Sequence, residues 1–567
     1  MMSNIILGRC PIRSGMTKFL MSGMTKSLIS GMTKSLMSGM TKSLISGMTK
    51  VFLTVIAGLT GNLLTSCTGM FEEINRNPNE VTDTQLQVMN YKTGTNIKTL
   101  QSLVVPVQEH LYQFVESLAG CPFGGYIGAT PDAWLTKFET FNPSADWRKA
   151  PFVDVISQTY PAYRAIVSGT DDEMTVAFAR LFRVAIMHRV TDSYGPIPYT
   201  QVVGNAEESL TVGYDSQEDV YNVMFTELDE VIDVFSANLG LNASAFSSFD
   251  AVYYGNVGQW LKYANSLKLR MAMRLSYVNP DLSRIKAAEA IASGVITVNA
   301  DNAYMHPAEN RMTLIYNDWS DHRVGADIIC YMNGYEDPRR EKMFLLSGNG
   351  EYRGIRIGTD PPSKSQAISY FSNMIVESDT PILWMNAAEV SFLMAEYELR
   401  WGSEAAARQL YEDGIRLSFE ERGATGDDVY IYDDESMPAK HDDPFFSDYD
   451  TTAPQSTITV AWRNGADLEE NLERIITQKW IAIFPLGTEA WSEYRRTGYP
   501  RLMPVVENKS GGTVDVRYGA RRLQYPVEEY TENTANLEAA VLMLAEESVF
   551  SNGDTMGSRV WWDCKPW

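Results

Sequence analysis

The chain has 567 residues, 44% of them apolar, and a formal net charge of −23. That length and apolar content exclude a disordered chain and allow one large or two ordinary domains around a sizeable core. The first 66 residues hold seven of the Lys and Arg and no acid, leaving 41 basic against 71 acidic residues, a balance of −30, beyond them. This argues against nucleic acid, because phosphate contacts need a basic face. A neutral ligand is favoured over an anionic polysaccharide, which would need a local basic patch.

From Ser14 to Lys50 an octapeptide recurs as SGMTKFLM, SGMTKSLI, SGMTKSLM, SGMTKSLI and SGMTK. This period fits no helix, strand or solenoid unit. Residues 1–47 therefore read as an upstream tandem repeat translated from a start codon placed too early. From Met48, Lys50 supplies a positive n-region and Val51–Leu59 an apolar h-region. Leu64-Thr65-Ser66-Cys67 then supplies a lipoprotein cleavage site. The apolar run is too short to cross a bilayer, which takes about 20 residues. The expectation is a signal peptide over 48–66 and an acylated Cys67, with Thr68 lacking the Asp that would retain the protein at the inner membrane. A polar tether over 67–85 follows, before a single body over 86–567. Cys121, Cys330 and Cys564 remain, an odd number without CxxC spacing, so at most one disulfide and no zinc site is expected.

Three- and four-residue apolar spacing predicts helices over Val153–Ile166 and Met174–Val190. Another follows Asp215, with Val220, Val223, Met224, Leu228, Val231 and Phe235 on one face and Ser216 and Asp219 as a capping-box-like start. Further patterns cover Gln259–Tyr277 and Leu472–Tyr494. The stretch Trp384–Arg422 reads as two helices meeting at Gly402 and Ser403, with Ala387, Ala388, Ala395 and Ala405 to Ala407 allowing close approach. The fold class expected is mostly α, a tetratricopeptide-like α-solenoid of helix pairs carrying long irregular loops. Those loops are Cys121–Phe152, Asn302–Ser378 and the acidic Gly423–Trp462, which lacks the spacing of a calcium loop and reads as solvated.

Several phrases then appear in order: INRNPN at Ile74–Asn79, DSYGPIPY at Asp192–Tyr199, WLKYANSLKLR at Trp260–Arg270 and AEVSFLMAE at Ala388–Glu396. They continue with QKWIA at Gln478–Ala482, EAW at Glu489–Trp491, YRRTG at Tyr494–Gly498, RRLQYP at Arg521–Pro526 and WWD at Trp561–Asp563. Together they resemble the SusD/RagB family, over essentially everything after Cys67. The resemblance implies a helical, lipid-anchored outer-membrane protein facing the cell exterior, which captures oligosaccharide and caps a SusC-like TonB-dependent transporter. Some members of that family bind peptide. The phrases themselves read as scaffold and do not locate a ligand.

Non-catalytic glycan recognition stacks aromatic faces on sugar rings, with Asn, Asp and Arg reaching the hydroxyls. Candidates in the first loop are Tyr126, Trp134, Phe141 and Trp147, with Phe138 and Asn142 beside them; the second offers Tyr316, Trp319, Asp321 and Arg323, with Asn317 and Tyr352. Core packing is the competing role for each. Catalysis has little support: His110, His188, His306, His322 and His441 are scattered, and no HExxH, G-x-S-x-G or phosphate loop occurs. Gly348, Gly350 and Gly354 have the wrong spacing for the last. No catalytic residue, cofactor or metal is therefore assigned. A helical glycoside hydrolase, needing two carboxylates about 5 to 10 Å apart, is the alternative that release of reducing ends would reveal.

Overall fold

The computed structural model describes residues 91–203, 211–240 and 247–566, all within one compact unit, Gln87–Trp567. The octapeptide run, the leader, Cys67 and the tether lie outside the described residues. The longer helices are α1 (Tyr91–Val104), α2 (Val155–Val167), α3 (Glu173–Tyr194), α4 (Gln217–Ala237), α5 (Val257–Arg274) and α6 (Pro280–Ser293). They continue with α7 (Ala387–Trp401), α8 (Glu404–Arg422), α9 (Leu468–Ala482), α10 (Gly487–Thr497) and α11 (Thr534–Glu547). The fold is mostly helical and built from successive pairs: α1 packs on α2, α3 on α4, α5 on α6 and α7 on α8. α4 against α5, α5 against α7 and α7 against α9 join one pair to the next, as in a tetratricopeptide-like stack. Among the described residues no helix is long and apolar enough to cross a membrane.

Local chemistry accounts for the element ends. The Ser216 side chain accepts from the Asp219 amide and starts α4, and Ser403 does the same for Ala406 at the start of α8. Gly414 on α8 faces the Phe392 ring of α7, and a Cβ there would come within 2.8 Å of it, so only glycine permits this approach. Ala387, Ala388, Ala395 and Ala407 are buried at the same contact, whereas Ala405 is exposed. Two expectations need correction. The helix expected over Leu472–Tyr494 is two, α9 and α10, because Pro485 has no amide to donate and disfavours helix at Phe484. Trp384 lies on a strand rather than in α7, buried against Trp260 and Tyr263.

Among the described residues four short strands complete the frame: β1 (Ile127–Ala129), β2 (Ala303–Met305), β3 (His322–Val324) and β4 (Ile382–Met385). β1 pairs antiparallel with β3, and β2 with β4. Cys121, Cys330 and Cys564 are free thiols.

Among the described residues, the charged residues of the sequence phrases lie inside, with Lys262 the exception. Arg496 holds Glu396 with two bonds of 2.6 Å and Glu493 at 2.7 and 3.0 Å. Arg270 holds Glu389 with two bonds of 2.7 Å. Arg274 reaches Glu489 at 2.6 Å, Asp192 at 3.3 Å and also Glu493. Lys479 stands 3.2 Å from Glu493, and Arg400 bonds Glu396 at 2.7 Å. These five cations and five carboxylates balance, which is what a buried ionic cluster requires, and Lys479 Nζ and Arg400 Nη2 take part by charge without a hydrogen bond. The scaffold phrases thus meet in space although they are far apart in sequence.

His188, on the buried side of α3, donates from Nδ1 to the Val184 carbonyl, and burial lowers its pKa to about 4 against the pull of Asp192. Unfolded, it binds a proton near pH 6.5, so the stability it contributes is present above pH 6.5 and lost as pH falls towards 4. His188→Leu should therefore flatten the decline of the melting temperature between those values. An unchanged slope in the variant would rule this out.

Candidate functional site

The two aromatic loops are brought together by the β1–β3 ladder, in which Ala129 faces His322 and Gly128 faces Arg323. The Thr130 amide extends the contact to the Asp321 carbonyl at 2.9 Å, and its hydroxyl donates to Ser320 O at 2.6 Å. Beneath the ladder runs a helical segment, Glu109–Tyr112, Gln113–Gly120 in π geometry and Cys121–Phe123. His110, Gln113 and Phe114 stand on one face of it, at the i, i+3, i+4 spacing. The His110 ring stacks on one face of Trp319, with centroids 5.2 Å apart. Gln113 donates to Asp321 at 3.3 Å and lies 3.4 Å from the His322 ring nitrogen. Phe114 packs on Trp147, which meets Trp134 edge-on at 5.2 Å. Trp134 in turn meets His322 edge-on at 6.3 Å.

Trp134, Trp147 and Trp319 are thus gathered around one helix face, all three half-buried. Trp147 is enclosed by Phe114, Trp134 and Phe138, and it supports the group. Trp134 meets rings at Trp147 and His322, and Trp319 at His110, so each is less enclosed by rings than Trp147. Asp321 pairs with Lys364 at 2.6 Å, so the polar rim carries one charge of each sign. His322 is held neutral, its pKa lowered to about 3 by burial and by Lys364 and Arg323. Ser320 adopts a left-handed φ of 53°, and Phe141 one of 62°. Such backbone costs about 1 to 3 kcal/mol and persists only where surroundings enforce it.

Other candidates from the sequence occupy different places. Tyr126 is fully buried, stacked on Trp480 at 5.3 Å with its hydroxyl donating to the Trp480 carbonyl. Tyr316 is fully buried and shares a hydrogen bond of 2.8 Å with Ser117. Phe141 and Phe138 pack against Phe123 in the core. These rings present no face to a ligand. Arg323 is 5% exposed and donates to the His322 carbonyl, and burial lowers its pKa to about 10. Strand alternation places it on the opposite face of β3 from His322. Asn142 is committed to its own loop, bonding Leu135 O at 3.1 Å and accepting from Thr140 at 2.6 Å. The ring of Tyr352 lies under Arg340, and Asn317 donates to Val376 O. Sequence reasoning missed His110, Gln113, Phe114 and Lys364; the helical spacing of the first three was the available signal.

A family model described as SusD-like, SusD and RagB outer membrane lipoprotein, matches residues 73–563. Among solved structures, a SusD homologue from Bacteroides thetaiotaomicron is 49% identical with a TM-score of 0.80, covering 84% of this chain and 99% of its own. One from Bacteroides ovatus is 43% identical with a TM-score of 0.79, at the same coverage of 84% and 99%. A chitin-binding SusD homologue from Flavobacterium johnsoniae is 34% identical with a TM-score of 0.78, again covering 84% and 99%. No curated protein matches the chain.

Proposed function

This chain belongs to the SusD-like family of SusD and RagB outer-membrane lipoproteins, and from that premise we propose that it captures a neutral oligosaccharide on Trp134 and Trp319. The observation that carries the reading is the convergence of both loops on the helix face of His110, Gln113 and Phe114, which leaves two indole faces beside a polar rim. Indole faces match the apolar faces of sugar rings, and Asp321, Lys364 and Gln113 can exchange hydrogen bonds with hydroxyls. The paired charges of Asp321 and Lys364 favour a neutral ligand, and the chitin-binding relative offers a first ligand class to test. The protein acts here as a binder, not a catalyst.

Calorimetric titration against neutral and anionic polysaccharides, with chitin oligosaccharides included, tests the reading. Saturable binding confined to neutral glycans without release of reducing ends is expected. Binding to none of them, or binding of peptide pools in competition, would overturn it.

Delivery to a SusC-like TonB-dependent transporter, with acylated Cys67 holding the protein on the outer face of the membrane, completes the proposal. Cys67→Ala should release the protein from outer-membrane fractions and reduce protease-accessible material on intact cells. Purification from solubilised membranes should bring down a TonB-dependent barrel. Retention of the variant, or isolation without a barrel, would count against these two steps respectively.

A further inference from the structure

A second cavity of ≈ 460 Å³ opens on the other ladder, between β2 and β4, the end of α8 and the α9–α10 connection. It falls within the size of small-molecule sites, about 300 to 1,000 Å³. Its walls are apolar, with Met312, Met343, Met374, Ile382, Leu383 and Phe484 prominent. Three thioethers in the lining give an adaptable surface that accommodates differently shaped apolar bodies.

The polar groups lie together at the end of α8. Glu421 is already committed, accepting from Tyr304 at 2.5 Å, Asn386 at 2.8 Å and Asn302 at 3.0 Å. Asn310 is likewise spent, donating to Thr380 O and accepting from the Met312 amide. Arg422 differs. Its guanidinium donates to backbone carbonyls, Phe484 O at 2.6 Å and Ala482 O at 3.5 Å, rather than to a carboxylate. Lys342, a second cation, also lines the cavity and makes an exposed ion pair with Glu341 at 3.3 Å. Arg422 is therefore the lining cation without a hydrogen-bonded carboxylate, beside the fixed charge of Glu421.

We propose that this cavity is a separate binding site for a small monoanion with an apolar body, its hydrocarbon on the three methionines and its carboxylate on Arg422 and Lys342. The site shares no ligand-facing residue with the tryptophan group, and so stands apart from glycan capture.

Decanoate and decan-1-ol serve as probes, one charged and one neutral, titrated into the purified protein with calorimetric readout. Saturable binding of one decanoate per chain is expected, tighter than decanol. Ile375→Trp, at a half-buried position lining the cavity, should abolish both by filling the space. Arg422→Gln should weaken decanoate about tenfold, the scale of one charge-assisted hydrogen bond, and leave decanol unchanged. If Arg422→Gln unfolds for want of its bonds to the α9 end, Lys342→Gln on a partly exposed side chain carries the charge arm. No saturable binding, binding that survives Ile375→Trp, or equal affinity for the two probes would overturn the proposal.

Discussion

Trp134→Ala and Trp319→Ala should each weaken glycan binding roughly thirtyfold, about 2 kcal/mol, while leaving the melting temperature near that of the native chain. The separation of effects follows from packing. Trp134 makes T-shaped ring contacts with Trp147 and His322, Trp319 has one face on His110, and both sit at the margin of the core, half-buried. Removing either takes away a platform without opening the core. Trp147→Ala should behave differently, because three aromatic rings lean on it, and the loss should appear in stability as well as affinity. Tyr126→Phe should leave affinity untouched, since that ring is sealed under Trp480. Calorimetric titration beside thermal melting distinguishes these patterns. Normal affinity in both Trp134→Ala and Trp319→Ala, with native melting, would sink the assignment of the site.

How far the site was legible in the sequence depends on what decides exposure. Composition marked both loops as aromatic and pointed to Trp134, Trp147, Trp319 and Asp321, which the β1–β3 ladder does bring to one helix face. It could not separate these from Tyr126 and Tyr316, whose hydroxyls find partners on Trp480 and Ser117, segments remote in the chain. A buried tyrosine is decided by whether its hydroxyl can be satisfied inside, and that is a tertiary property. Lys364 was missed for the same reason: its pairing with Asp321 crosses 43 residues.

The helices were legible where one face is apolar and the other polar. α4 follows its Ser216 cap, and α7 and α8 break at Gly402 and Ser403. Those without a marked stripe, α6 and α11, were not, whereas α3 was legible over Met174–Val190 although it is buried on nearly all sides after Ala177. The phrases with buried charge are the instructive case, since Arg and Glu in ANSLKLR, AEVSFLMAE and YRRTG read as surface residues in any local window. Their interior position follows only from the partners they find on other helices.

Arg496 is the clearest test of that cluster. It is fully buried and forks onto both Glu396 and Glu493, so Arg496→Met should cost about 3 to 5 kcal/mol by leaving two buried carboxylates short of a cation. Burial pushes the pKa of Glu396 and Glu493 up, but Arg496, with Arg400 beside the first and Lys479 and Arg274 beside the second, holds both below the ordinary range. In the native chain their contribution is therefore full above the unfolded value near 4.5 and lost as pH falls below it. Without Arg496 burial gains ground and the same carboxyls shift upward, so that protonation relieves them and the variant recovers as pH falls from 7 to 4.5. His188 titrates in both proteins, and the difference between their melting curves cancels it. The deficit of Arg496→Met should thus shrink on acidification, and Arg496→Met with Glu493→Met, which restores the charge balance and leaves Glu396 on Arg400, should be more stable than the single variant at pH 7. A deficit under about 1 kcal/mol, or one that grows from pH 7 to 4.5, would mean that the cluster does not hold these helices together.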